Sequence, residues 1–176
     1  NMVICTPSDE NETRKLLTTA YLHNGPASVR YPRGTGPNSN VDKDLKPLKI
    51  GEANIINEGS SEIVILNFGT LLNEANQISK ELKATLVDMR FVKPLDEKLL
   101  RELFKKAKVF ISIEDGSIMG GAGSAVQEFA SKENLNVRSI LFGIPDKFIE
   151  HASREEMLVE AGLDVENIKS KLSKLL

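Results

Sequence analysis

Glu62-Ile63-Val64-Ile65-Leu66-Asn67-Phe68-Gly69-Thr70 is the stretch whose reading decides the fold class. An apolar run ends on a glycine, and the helical spacing of Leu72, Ala75, Ile78 and Leu82 begins directly behind it. A strand that is apolar on successive residues has no face for water, so it must be covered on both sides, as in a parallel sheet flanked by helices. The same unit recurs downstream. Ala84 to Met89 reads as a strand, and Asp96 caps a following helix with Leu99, Leu100, Leu103 and Phe104 inward. Val109 to Ile113 is another buried strand, and Gly120-Gly121-Ala122-Gly123-Ser124 opens a helix with Val126, Phe129 and Ala130 inward. Val137 to Phe142 is the last strand, Ala53 to Ile56 an edge strand, and two short helices, Arg154 to Ala161 and Val165 to Leu175, close the chain. Residues 49–176 therefore predict a complete α/β domain with a mostly parallel sheet.

Upstream the character changes. Residues 35–48 hold Thr35, Gly36, Pro37, Asn38, Ser39, Asn40 and several charges, which is linker composition. Residues 1–34 read as strand, helix, strand. The pieces are Met2 to Cys5, then a helix capped by Ser8 or Asp9 with Leu16, Leu17, Ala20 and Tyr21 on one face, then Ala27 to Val29 after a stop near Asn24-Gly25-Pro26. Two strands and a helix cannot bury a core alone, so this piece must complete a sheet whose other strands lie elsewhere.

Composition excludes several classes of function. The chain has 176 residues, with 23 basic and 25 acidic side chains and a formal charge of -2, so it has no global attraction for nucleic acid or an anionic membrane. Cys5 is the only cysteine, which rules out an internal disulfide and a cysteine metal cluster. No apolar run approaches the ~20 residues of a membrane span, and the expected location is cytoplasmic, or the plastid stroma if the source is a plant.

Candidate sites each have a plainer reading. The Gly120 to Ser124 turn could present amides to an anion, but Val126 stands where a dinucleotide fingerprint has its third glycine, which favours a tight turn for helix packing. Glu114 and Asp115 are adjacent in extended chain and point to opposite faces, which suits capping or turn duty better than shared acid-base chemistry. His23, in the last turn of the first helix, and His151, in a loop, lack metal-ligand spacing. Arg33 differs. In Val29-Arg30-Tyr31-Pro32-Arg33-Gly34 a short strand ends in two arginines around a proline that restricts the backbone. Arg33 can bind a phosphate or carboxylate, or form a salt bridge between domains, and the residue physics does not separate the two.

Several segments resemble the 1-deoxy-D-xylulose-5-phosphate synthases, transketolase-like thiamine diphosphate enzymes. They are Thr6-Pro7-Ser8-Asp9-Glu10-Asn11-Glu12, Val29 to Gly34, Asn67-Phe68-Gly69-Thr70, Thr85 to Asp96, Gly120 to Val126, Gly143-Ile144-Pro145-Asp146 and Phe148-Ile149-Glu150-His151. The likeness runs through essentially the whole chain, yet family members are roughly three times longer. It implies a C-terminal fragment: residues 1–34 as the end of a pyrimidine-binding α/β domain, 35–48 as linker, and 49–176 as a three-layer transketolase C-terminal domain. It further implies a homodimeric enzyme that decarboxylates pyruvate and transfers the two-carbon unit to glyceraldehyde 3-phosphate, for isoprenoid, thiamine and pyridoxal synthesis. The resemblance assigns the acceptor's phosphate to Arg33. The motifs for thiamine diphosphate and Mg²⁺ and the catalytic side chains are not in this sequence, so no catalytic, cofactor or metal residue is expected in it and the fragment alone is expected to be inactive. Asp115-Gly116 stands where the family often has Glu-Asn, and Ala152 where it often has glycine. The alternative role is an effector-binding or dimerisation module of a related enzyme, with the Gly120 to Ser124 turn and the neighbouring strand ends as its pocket.

Overall fold

In the computed structural model, which describes all 176 residues, two sheets are joined along one seam. The larger sheet contains β3 (Asn54–Asn57), β4 (Ile63–Phe68), β5 (Thr85–Asp88), β7 (Val109–Ser117) and β8 (Arg138–Ile144) in the order β3-β5-β4-β7-β8. The β5–β4, β4–β7 and β7–β8 pairs are parallel, and β3 is an antiparallel edge, so the predicted mostly parallel α/β sheet is present. The register alternates side chains between two cores. Ile65, Leu86, Ile111 and Ile113 face one side, where α2 (Leu72–Leu82) and α6 (Val165–Leu175) supply Ala75, Ile78, Ile168 and Leu172. Val64, Leu66, Val87 and Phe110 face the other, against Leu100 and Phe104 of α3 (Glu97–Phe104) and Val126, Phe129 and Ala130 of α4 (Ala122–Lys132). That gives the three layers. Asp96 caps α3 by accepting from the Leu99 N–H, as predicted. α5 (Arg154–Ala161) begins with a capping box between Ser153 and Glu156.

A smaller, three-stranded sheet joins the N-terminal residues to the downstream region. β1 (Val3–Cys5) pairs in parallel with β2 (Ala27–Val29) on one side, and antiparallel on the other with β6 (Phe91–Lys93), which comes from the downstream region. The N-terminal strands gain a third strand, β6, from downstream, and its sequence pattern does not announce it. Three residues between Arg90, at φ 59°, and Pro94 carry no alternation, so β6 owes its conformation to its partner. Phe91 seals the seam in one small core with Val3, Cys5 and Leu16. Burial also pushes the Cys5 thiol up to about 11.

Other readings need correction. α1 (Glu10–Leu22) is capped by Asp9, whose side chain accepts from the Glu12 N–H, but only Leu16 of its four supposed inward residues is fully buried. Tyr21 is 87% exposed and Leu17 46%, because the small sheet and residues 35–48 cover other flanks of the helix. His23 lies just beyond the last turn, in extended backbone, so it makes no helix-dipole contact from within α1. The Glu114-Asp115-Gly116 stretch is no turn: β7 runs through it to Ser117, with an irregular register after Ile113. Residues 35–48 lack helix and strand but lie along α1, with Glu10 accepting from the Asn38 and Ser39 N–H groups, Arg14 donating to the Lys43 carbonyl, and Thr19 accepting from the Leu48 N–H.

Phe91→Ala removes a fully buried ring from the smallest core, a loss of about 3–5 kcal/mol. Residues 1–34 should then be cleaved by protease well before residues 49–176, as limited proteolysis with mass spectrometry would show; simultaneous loss of both would mean that they unfold as one unit.

Candidate functional site: the seam and the strand-end arginines

The seam is polar where it meets the carboxyl end of β5. Arg90 grips Glu12 with two bonds, Nε to Oε2 at 2.7 Å and Nη2 to Oε1 at 3.1 Å. Both side chains are largely shielded, at 15% and 12% exposure, so this fork-on-fork pair is stronger than a surface ion pair. Its backbone is tied as well, since the Thr6 N–H donates to the Arg90 carbonyl at 2.7 Å. The left-handed φ of Arg90 is uncommon for a residue with a side chain, and these bonds on both side chain and carbonyl hold it there.

Asp88, 1% exposed, lies beside this pair and accepts a 2.6 Å bond from the Ser8 hydroxyl. Its other oxygen has no hydrogen-bond partner, nor does Oδ1 of Asn67, the residue opposite it on β4. Burial pushes the Asp88 carboxyl up to about 7, with Glu12 adding to the rise and the Ser8 bond and Arg90 opposing it. Ser8 and Arg90 are therefore the groups that permit a carboxyl at the closed end of the sheet.

On β7, Glu114 and Asp115 do point opposite ways. Glu114 is 3% exposed and turns toward α4, where Oε2 accepts from the Ala122 N–H at 3.0 Å and Oε1 from the Gly123 N–H at 2.9 Å. The glycines make this possible: a Cβ on Gly121 would come within 2.7 Å of both carboxylate oxygens. The turn that could have received an external anion thus receives the protein's own, at the positive end of the helix. Glu114 is a long-range cap, and the effector pocket once open to this turn is filled at these two amides. Asp115 faces the other way and accepts from Thr70 Oγ1 at 2.9 Å.

The two arginines part company after β2. Arg30 reaches Asp115, with Nη2 and Oδ1 3.6 Å apart, so it is Arg30 and not Arg33 that makes an ion pair here. Arg33 is exposed and forms neither a salt bridge nor a side-chain hydrogen bond. Its neighbours Tyr31, Pro32, Gly34 and Thr35 line a cleft of about 380 Å³ shared with Asp9 and Glu10 of the α1 start and with Thr70, Glu74 and Arg154. His151 lies in the exposed loop before α5, away from that lining. No group of three or more His, Cys, Asp or Glu side chains is placed to hold a metal ion. No helix is long and apolar enough to cross a membrane.

The chain combines a mostly parallel sheet in three layers, bearing one antiparallel edge strand, with a second, three-stranded sheet. The family model "Transketolase, C-terminal domain" matches residues 51–168, and the chain belongs to that family. It is 51% identical over 169 residues to the 1-deoxy-D-xylulose-5-phosphate synthase of Pseudomonas fluorescens strain Pf0-1, covering 96% of this chain and 27% of that protein. The synthase of the same name from Pseudomonas syringae pv. tomato is 47% identical over 175 residues, 99% of this chain and 28% of that protein. The chain thus spans about a quarter of the length of these curated relatives. Among solved structures, a split-gene transketolase described as an inactive β4 tetramer superposes with a TM-score of 0.79 at 25% identity, over 99% of this chain and 56% of that one. Transketolase from Campylobacter jejuni gives 0.68 at 18% identity, over 99% and 26%, which speaks to fold alone.

The raised Asp88 carboxyl has a measurable consequence. Unfolded, it ionises near about 4; folded, it keeps its proton to about 7. Its contribution is therefore intact at low pH and lost as pH rises through 7. Asp88→Asn, neutral at every pH, should match the wild type in melting temperature near pH 4, gain on it steadily toward pH 7, and hold a constant lead above. A lead that does not change with pH would show that folding leaves the Asp88 pKa at its ordinary value.

Proposed function

We infer that this chain is part of a thiamine diphosphate-dependent enzyme that condenses pyruvate, with loss of CO₂, and glyceraldehyde 3-phosphate to 1-deoxy-D-xylulose 5-phosphate, the product serving isoprenoid, thiamine and pyridoxal synthesis. The observation that carries this is the 51% identity with synthases of that name along 96% of the chain. Within it, Arg33 binds the acceptor's phosphate. Its guanidinium is the one at this strand end left without an acidic partner, its backbone is stiffened by Pro32, and the residues on either side of it, Pro32 and Gly34, line a cleft of about 380 Å³.

The cofactor supplies the electron sink for decarboxylation, and with its Mg²⁺ it is held by regions of the full-length enzyme other than this one. Residues 1–34 end the pyrimidine-binding domain, 35–48 link, and 49–176 form the transketolase C-terminal domain. The fragment alone is inactive, because it binds the phosphate end of one substrate and no reacting atom. The enzyme works as a homodimer in the cytoplasm, or in the plastid stroma of a plant. The fully exposed Phe148 and the exposed Met119 suit an assembly surface. The competing reading, an effector module built on Gly120 to Ser124, is disfavoured by the Glu114 cap.

In the full-length enzyme Arg33→Ala should raise the KM for glyceraldehyde 3-phosphate roughly 10- to 100-fold, the effect of losing a charge-assisted bond of about 1.5–3 kcal/mol. The KM for pyruvate should change little. Steady-state kinetics with each substrate varied in turn checks this, and equal rises in both KM values would remove Arg33 from the phosphate.

A further inference from the structure

Arg30 and Arg33 are separated by only Tyr31 and Pro32, and what holds the first bears on the second. Arg30's main chain is fixed by its N–H bond to the Cys5 carbonyl at 2.9 Å, the last rung beside β2. Its side chain crosses to the larger sheet over Gly116, where a Cβ would sit 2.6 Å from Nη1. The Asp115 carboxylate that receives it is already set. Its Oδ2 takes the Thr70 hydroxyl proton at 2.9 Å, and the same hydroxyl oxygen accepts from Arg154 Nη2 at 2.8 Å. Gly69, at φ 102°, turns the chain under it, and a Cβ there would lie 3.1 Å from Asp115 Oδ1. Three separate elements thus aim one carboxylate: the β4–α2 turn, β7, and the first residue of α5.

A half-exposed ion pair 3.6 Å long contributes little to stability, roughly 0–1 kcal/mol. Its orienting effect is another matter. The backbone between Arg30 and Arg33 has few free torsions, since Pro32 fixes its own φ and restricts Tyr31. A guanidinium anchored at one end of so short a segment limits the directions available at the other, and small misplacements of a binding group are costly to a reaction.

We propose that Asp115 is a positioning residue: held by Thr70, which Arg154 steadies in turn, it fixes Arg30 and thereby the bearing of Arg33 on the phosphate of the acceptor substrate. This rests on the assignment of Arg33 above. It gives the C-terminal domain a part in acceptor recognition although it touches no reacting atom.

The test is made on the full-length holoenzyme. Asp115→Asn keeps the shape and the Thr70 bond while removing the charge, and should raise the KM for glyceraldehyde 3-phosphate roughly three- to tenfold, a smaller effect than loss of Arg33 itself. The KM for pyruvate and the rate of CO₂ release from pyruvate without acceptor should stay at wild-type values. Asp115→Glu, which restores the charge, should recover the acceptor KM to within about twofold. Arg30→Gln should match Asp115→Asn, and the double variant should be no worse than either single one, since both break one link. Equal effects on both substrates, additive single variants, or failure of glutamate to rescue would each overturn the relay. Should Asp115→Asn fail to fold, Arg30→Gln carries the same comparison. Arg33→Ala, measured in parallel, separates the two claims. If it leaves the acceptor KM unchanged, the phosphate assignment and the relay both fall; if it raises that KM and the Asp115 and Arg30 variants do not, only the relay falls.

Discussion

The two-bond grip of Arg90 on Glu12 is the contact on which the rest of the architecture depends. It joins the start of α1 to the end of β5, within a few residues of the β1–β6 pairing and the Ser8–Asp88 bond. A pair this shielded is costly to form, because both charges leave water, and it succeeds only when every lone pair and proton is used. Here the geometry is bidentate and the backbone of Arg90 is bonded as well. The grip sets the small sheet against the large one, and so decides where β2 ends and where its two arginines point.

The carboxyl ends of the strands show how one surface can divide its anions among different tasks. Asp88 is buried with a single hydroxyl partner and keeps its proton up to about 7. Glu114 accepts from two amides at the end of α4, and Asp115 is shared between Thr70 and Arg30. Each position is set by the parity of its strand. Because successive side chains alternate faces, the adjacent residues 114 and 115 serve opposite sides of the sheet, Glu114 the start of α4 and Asp115 the Thr70 turn and Arg30, and neither can stand in for the other.

Much of this was legible in the sequence, and the exceptions have physical causes. The five-stranded sheet could be read because strands buried on both faces leave unbroken apolar runs, and α3 because Asp96 precedes its apolar stripe. β6 could not, since a three-residue strand has no period and depends on β1. The outer flank of α1 misled because an apolar spacing shows which residues could be buried and not whether anything lies there to bury them; Tyr21 is the case in point. The arginines were recognisable as a pair, but the acidic partner of Arg30 lies on another strand far along the chain, and no local pattern announces it. Capping duty for Glu114 was legible in the sequence, but not its partners, the Ala122 and Gly123 amides, which lie eight and nine residues on.

Glu114 alters what the glycine turn can do in solution. A helix start facing the crevice of a parallel sheet is a customary place for a phosphate to settle. In this molecule any arriving phosphate competes with a carboxylate tethered eight residues away, which is never diluted. Tethering over short spans corresponds to effective concentrations on the order of millimolar or more, and the incoming ion would also have to leave the displaced carboxylate buried and unpaired. The turn is therefore a self-saturated anion site: it keeps the amide geometry of a nucleotide-binding loop and uses it to fasten a helix to a strand.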